Sequence, residues 1–254
     1  MIKGIYCKRR EAVLDLNECI ECSKTNFECQ IFTEYLIWLN KDDSEYSKDL
    51  TVTKLLSCPR RAYFYAHLDY IIEPEDFYAL FRGSIIHSFL QTYKDSECIV
   101  ETRFTKKYKN IEISGTPDKI DTKRKIIYDF KTIAGRISDD YSLRWDNPHL
   151  EHQVQLNLYY WLLKDIFEIE RLCLVYIGSD CSKKYLIKIR TEDDKKLYTP
   201  IKKAFDNAEI LNQVWNKNLN EINKKDLPKI TEIDKKQTWI CNYCHFEKEC
   251  KDLG

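Results

Sequence analysis

Gly115-Thr-Pro-Asp-Lys-Ile-Asp-Thr-Lys-Arg-Lys-Ile-Ile-Tyr-Asp-Phe-Lys-Thr132 is the stretch whose reading decides the fold. Its second half, Ile126-Ile-Tyr-Asp-Phe130, is apolar enough for a core strand, and the charged residues before it read as a turn. The spacing predicts that Asp118 ends one strand while Asp129 and Lys131 lie on the next. Side chains alternate along a strand, so Asp129 and Lys131 point to one face. Two carboxylates and an ammonium then converge. Carboxylate oxygens are the donors Mg2+ and Mn2+ prefer, and such sites keep positions for water and a phosphate. The pattern points to a metal-dependent phosphodiesterase in which Lys131 orients the attacking water or offsets developing charge. Taken alone, the same residues also read as a turn aspartate and one more solvated lysine.

Working outward, strands are expected at about 97–106, 110–120 and 125–133, then at Leu172–Val175 and Tyr185–Ile189. A helical approach from Thr51 meets a compact turn at Cys58-Pro59, followed by an aromatic helix. Asp76 to about Tyr93 repeats apolar residues at helical spacing and carries His87. A further helix runs from near Pro148 to about Phe167, and a long charged one from about Thr191 to Ile222. The order helix, three strands, helix, two strands, helix implies an α/β core, a sheet flanked by helices.

Residues 1–45 read as a small cysteine-bearing module, with Ile31 to Leu39 as a strand or short helix. Asp42-Asp-Ser-Glu45 is the expected linker to a domain of residues 46–254. The 254-residue chain is 43% hydrophobic, 13% aromatic and 32% charged, which excludes a disordered chain. No apolar run reaches the roughly 20 residues that span a bilayer, and Met1–Arg10 lacks the apolar core of a signal peptide. A cytoplasmic protein without a membrane partner is expected. The formal net charge is zero, so only local patches such as Cys58-Pro-Arg-Arg-Ala-Tyr63 and Lys123-Arg-Lys125 speak for nucleic acid, and weakly. The chain has no Gly-x4-Gly-Lys-Ser/Thr phosphate loop, which argues against a helicase motor.

Eleven cysteines in such a chain favour metal ligation over disulfides. Cys241-x2-Cys244-x5-Cys250 is a tight triplet, and Cys7, Cys19, Cys22 and Cys29 form a looser quartet. The quartet's spacing suggests structural zinc, with a second iron-sulfur cluster or unliganded thiols as alternatives. Cys98, Cys173 and Cys181 read as small buried hydrophobes. His87 follows Gly83 by four residues, and Gln155 and Tyr159 share one helix face at i, i+4. Each alone reads as a packing residue.

Together, and in this order, Arg82-Gly-x3-His87, Gly115-x2-Asp118, Asp129-x-Lys131 and Gln155-x3-Tyr159 resemble the RecB-like branch of the PD-(D/E)xK nucleases, over about residues 51–250. The resemblance includes Cys58 with the C-terminal triplet, and the small size is most similar to the CRISPR-associated exonuclease of Cas family four. Asp129 stands where the family often has glutamate.

The resemblance implies a restriction-endonuclease-like core with a central mixed sheet flanked by helices and a cysteine-ligated cluster region. It implies that His87, Asp118 and Asp129 hold Mn2+ or Mg2+, with Lys131, Gln155 and Tyr159 completing the catalytic set. Glu101 is a secondary candidate acting through water. Cys58, Cys241, Cys244 and Cys250 would hold a 4Fe-4S cluster, although four thiolates alone suit zinc as well. The implied activity is a single-strand-preferring DNA exonuclease that trims prespacers for the CRISPR integrase complex. A repair or mobile-element nuclease and a non-catalytic nucleic-acid-binding module are the other readings.

Overall fold

The computed structural model describes residues 2–26, 29, 31–41, 49–92, 96–133, 135–190, 195–223, 225–228, 241 and 244–253. The chain runs β1 (Ile2–Cys7), β2 (Ala12–Leu14), α1 (Leu16–Thr25), α2 (Thr33–Lys41), α3 (Val52–Leu55), α4 (Pro59–His67), β3 (Tyr70–Ile72) and α5 (Pro74–Gln91). It continues through β4 (Cys98–Val100), β5 (Phe104–Tyr108), β6 (Ile111–Gly115), β7 (Lys119–Asp121) and β8 (Ile126–Thr132). Then follow α6 (Tyr141–Arg144), α7 (Leu150–Leu163), β9 (Arg171–Ile177), β10 (Ser182–Ile187), α8 (Lys195–Val214) and α9 (Glu247–Asp252). Two compact units result: Asp49–Ser57 with Arg82–Asn212, and Met1–Lys48 with Cys58–Phe81 and Gln213–Gly254.

The first of these holds a five-stranded mixed sheet of order β10-β9-β8-β7-β4. Only β8 and β9 run parallel, and they are central. Parallel strands are covered on both faces and so read as continuous apolar runs; Leu172 to Tyr176 are all buried accordingly. α7 lies against β8 and β9 and also reaches β5 and β6. The α/β class with a mixed sheet and flanking helices is as expected.

The three strands expected between 97 and 133 are five. Glu101 takes φ 45°, in the left-handed region, which ends β4 and sends β5 off to pair with β6 in a separate two-stranded sheet. Thr116-Pro117-Asp118 likewise separates β6 from β7, because proline has no amide to donate to a ladder. Asp118 therefore does not end a strand; it sits in the bend immediately before β7. In the hairpin that follows, Asp121 Oδ1 accepts from the Arg124 amide (2.7 Å), and this side-chain cap helps hold the turn.

The other unit has a small sheet of order β2-β1-β3. Its α4 starts as read, with Pro59 at the first helical position where no amide donor is needed. Around it, Phe64, Tyr65, Tyr70, His245 and Phe246 form a ring cluster. Arg60 of the supposed basic patch is buried: it donates to Leu227 O (2.6 Å) and Cys250 O (2.9 Å), so it is no surface charge for a nucleic acid. Residues 33–41 are helical rather than extended. The expected linker at 42–45 and the expected helix start at Thr191 lie outside the described residues.

Candidate active site

Strand register builds the site. Lys119 pairs with Tyr128, Ile120 with Ile127 and Asp121 with Ile126. Continued one residue back, the same hairpin puts Asp118 opposite Asp129. The contact is direct, since Asp118 Oδ2 accepts the Phe130 amide at 2.5 Å. Asp129 and Lys131 share a face of β8, with Lys131 Nζ 2.8 Å from Asp129 Oδ2. The side chain of Asp129 is only 1% exposed, and the Lys131 ammonium is the charge that meets this buried oxygen. Burial pushes the Asp129 carboxyl up to about 6, Lys131 pulls it back, and Asp118 raises it further.

His87, on α5, completes a triplet. Its Nδ1 lies 3.4 Å from Asp118 Oδ1 and 3.5 Å from Glu101 Oε1. Hydrogen bonds to Asp118 and then Glu101 raise the imidazole to about 10. A positive charge is thus what these two carboxylates call for. Gly83, one turn earlier on α5, is where a Cβ would stand 3.4 Å from Thr132 Oγ1 at the end of β8.

Among the described residues, His87, Glu101 and Asp118 offer donor atoms that all lie within 4.8 Å of one another. Oxygen donors with one imidazole, next to the buried Asp129 carboxylate, fit a divalent cation of the Mg2+/Mn2+ type. Glu101 thus joins the group more directly than a ligand through water. The signal was weak in sequence, because neither glycine nor asparagine marks the left-handed turn that aims it.

Gln155 and Tyr159 are both buried on α7, and Gln155 Nε2 donates to Tyr159 Oη at 3.0 Å. Burial, then the Asp129 and Asp118 charges, push the Tyr159 hydroxyl far up, so it stays protonated. Sequence reading missed the neighbours on Lys131's other side. Tyr176, paired with Lys131 across β8 and β9, shares a hydrogen bond with His152 Nδ1 (2.8 Å) and accepts from the His149 amide (3.2 Å). His149 Nε2 in turn meets Asp140 Oδ2 at 3.1 Å. Burial and the Lys131 charge push His152 down to about 3, leaving it neutral. An HxxQ spacing was its only mark in the sequence.

The cysteines gather elsewhere. Cys58 precedes α4, Cys250 lies on α9, and the Cys244 amide donates to Cys241 O at 3.2 Å. Arg60 Nη1 points to Cys250 Sγ at 3.6 Å. Burial raises the Cys244 thiol, the Arg61 charge lowers it, and the Cys58 and Cys250 thiolates raise it again, so these sulfurs share one neighbourhood. Cys7 ends β1, Cys19 and Cys22 lie on α1, and Cys29 follows it. Cys173 is buried as expected, whereas Cys181 is exposed in the β9–β10 turn and is no core residue.

No curated protein matches the chain. Among solved structures, the crystal structure of SSO0001 is similar with a TM-score of 0.52 and 23% identity, over 84% of this chain and 90% of that one; the likeness is one of fold. Residues 94–251 match the PD-(D/E)XK nuclease superfamily, whose members are generally phosphodiester hydrolases that use divalent metals. That match takes in more than half of the chain, with Glu101, Asp118, Asp129, Lys131, Gln155 and Tyr159 inside it and His87 before it, and the chain belongs to the PD-(D/E)XK nuclease superfamily.

Proposed function

We propose that this protein is a Mn2+- or Mg2+-dependent deoxyribonuclease, an exonuclease acting on single strands or overhangs. The observation that carries the reading is the group of His87, Glu101 and Asp118 donors within 4.8 Å of one another, set beside the buried Asp129 carboxylate and the Lys131 ammonium. His87, Asp118 and Asp129 would hold the divalent ion together with Glu101, whose carboxylate lies in one donor group with His87 and Asp118. When bound, the ion neutralises the scissile phosphate and acidifies a water.

The chain's own groups do the rest. Asp118 is fixed by the Phe130 amide, so its second oxygen faces His87 without rearrangement. Lys131, one-fifth exposed, reaches solvent from the face that bears Asp129 and orients the attacking water or meets charge developing on phosphate. Tyr159 and Gln155 back the site with neutral donors. The products are a 5′-phosphate and a 3′-hydroxyl.

Cys58, Cys241, Cys244 and Cys250 hold a 4Fe-4S cluster in this reading, supported by their common neighbourhood and the family resemblance. Arg60 Nη1 at 3.6 Å from Cys250 Sγ and the Arg61 charge acting on the Cys244 thiol supply the positive surroundings that suit such a group. The setting that accompanies the resemblance is trimming of prespacers for the integrase in CRISPR adaptation.

Cleavage of single-stranded DNA by the purified chain, with Mn2+ and with EDTA, tests the activity. Asp118→Ala should lower the rate by on the order of 10³-fold with the fold unchanged. An unaltered rate would sink the assignment. A reconstituted integration reaction in which the chain leaves overhangs untrimmed would move it to repair or a mobile element.

A further inference from the structure

We infer that Cys7, Cys19, Cys22 and Cys29 form a second, separate metal site, a tetrathiolate for one zinc ion, that fastens β1 and its turn to α1. The elements place all four in one corner of their unit. β1 ends on Cys7, whose carbonyl accepts the Arg10 amide at 3.2 Å and so starts the turn into β2. α1 then carries Cys19 and Cys22 three residues apart, on one face. At its end the Asn26 amide caps Cys22 O (2.9 Å) and the Cys29 amide donates to Asn26 O (3.0 Å), which folds Cys29 back towards the helix.

Side chains tie turn to helix at the same place. Arg10 Nη2 lies 3.3 Å from Cys22 Sγ and its Nη1 3.5 Å from Glu18 Oε1, while Arg9 Nη1 donates to Asn26 Oδ1 at 3.1 Å. Cys19 is buried on α1 one turn before Cys22, and β1, which ends on Cys7, packs against the same helix. A cation among these sulfurs would offset the mutual repulsion of four thiolates. None of the four is in a disulfide.

A Cys-x2-Cys pair flanked by two more cysteines in one short segment is the four-thiolate set of a structural zinc site, and iron quantification separates zinc from a cluster. Zn–S bonds of about 2.3 Å place the four sulfurs about 3.8 Å apart. Among the described residues no three of these sulfurs lie within 4.8 Å of one another, so zinc binding draws the Cys29 segment and the Cys7 turn inward onto α1. Arg10 then remains as an outer donor to the Cys22 thiolate, the role that such partners play around metal ligands.

Zinc and iron quantification on the anaerobically purified full chain tests the site, against Cys22→Ser/Cys29→Ser and Cys181→Ser. One zinc per chain is expected in the wild type and in Cys181→Ser, and none in the double variant. Equal zinc in all three proteins, or loss of iron in place of zinc from the double variant, overturns the proposal. If the double variant does not fold, Co2+ titration of the metal-stripped wild type decides. A thiolate-to-cobalt band displaced by zinc supports the site, and no band overturns it. Arg10→Ala, which removes no ligand, should weaken zinc binding about tenfold; unchanged affinity would remove Arg10 from the site.

Discussion

The two units of this chain gather side chains of opposite chemistry, and they do so in different ways. In the nuclease unit the donors are oxygens and one imidazole, and sheet register brings them together. Asp118 falls opposite Asp129 because the β7–β8 hairpin leaves it no other place. The cost is electrostatic, since carboxylates are held close and one is buried. In the other unit the donors are sulfurs, and little regular structure joins them. Cys58 and Cys250 meet around a buried arginine across most of the chain length. A sheet can preform a site and leave the ion to chemistry. If the thiolates hold metal as proposed, those brought in from loops and chain ends would need the ion to close the structure.

The sharpest way to break that contrast is to remove one thiolate. Structural metal binding contributes on the order of 10 kcal/mol, comparable with the roughly 5–15 kcal/mol net stability of a whole domain. Cys244→Ser should therefore unfold its own unit. Hydrogen exchange would show Phe64 and Phe246 losing protection while β8 and β9 keep theirs. Retained protection at both places would mean that the cysteines hold nothing structural. Dialysing the wild type into buffer free of Mn2+ and Mg2+ should do the reverse, abolishing cleavage with both units still protected.

The next effect concerns the oxygen site alone. Asp118 and Glu101 hold the His87 proton up to about 10, so a metal ion that takes His87 as ligand must displace that proton. Mn2+ affinity should then rise about tenfold per pH unit, close to 100-fold from pH 6.5 to 8.5 by calorimetry. His87→Gln should flatten the slope. A flat wild-type profile would take His87 out of the ligand set.

Asp129 sharpens the contrast from the stability side. Its carboxyl stands at about 6 in the folded chain, raised mainly by burial above the ordinary 3.8. Between those values the folded state holds more protons than the unfolded one, so this residue's contribution is fully present below the lower value and is lost as pH rises through the upper one. Without metal, Asp129→Asn should stabilise the protein at pH 8 by on the order of 2 kcal/mol, while abolishing cleavage. Thermal melts at pH 5 and pH 8 would read the difference, and equal melting temperatures for variant and wild type at pH 8 would contradict it.

How much of this was legible in the sequence follows the same division. The β8 segment, α4, α7 and the spacing of Asp129 with Lys131 were readable because each rests on local periodicity. Glu101 was readable only as a secondary candidate through water, because its left-handed turn, without glycine, leaves no mark, and that one residue divides an expected strand in two. The sheet of β1, β2 and β3 was missed because its strands are short and one joins from residue 70, far along the chain. His152 and Tyr176 escaped because register between parallel strands, rather than spacing, sets them near Lys131.

Gly115 offers the smallest and most local test of whether the oxygen site is preformed. A Cβ there would stand 2.9 Å from Tyr159 Cε1 and 3.1 Å from both Leu162 Cδ2 and Val52 Cγ2. Tyr159 is buried and tied to Gln155, so it has little room to yield. Gly115→Ala should cost about 1–3 kcal/mol through overpacking and shift the Tyr159 ring against the carboxylates. If sheet register alone makes the site, cleavage by the folded variant should fall only a few-fold, with Mn2+ affinity unchanged. A fall as deep as that of Asp118→Ala would show that α7, through Tyr159, belongs to the reacting machinery and that the hairpin by itself is not enough.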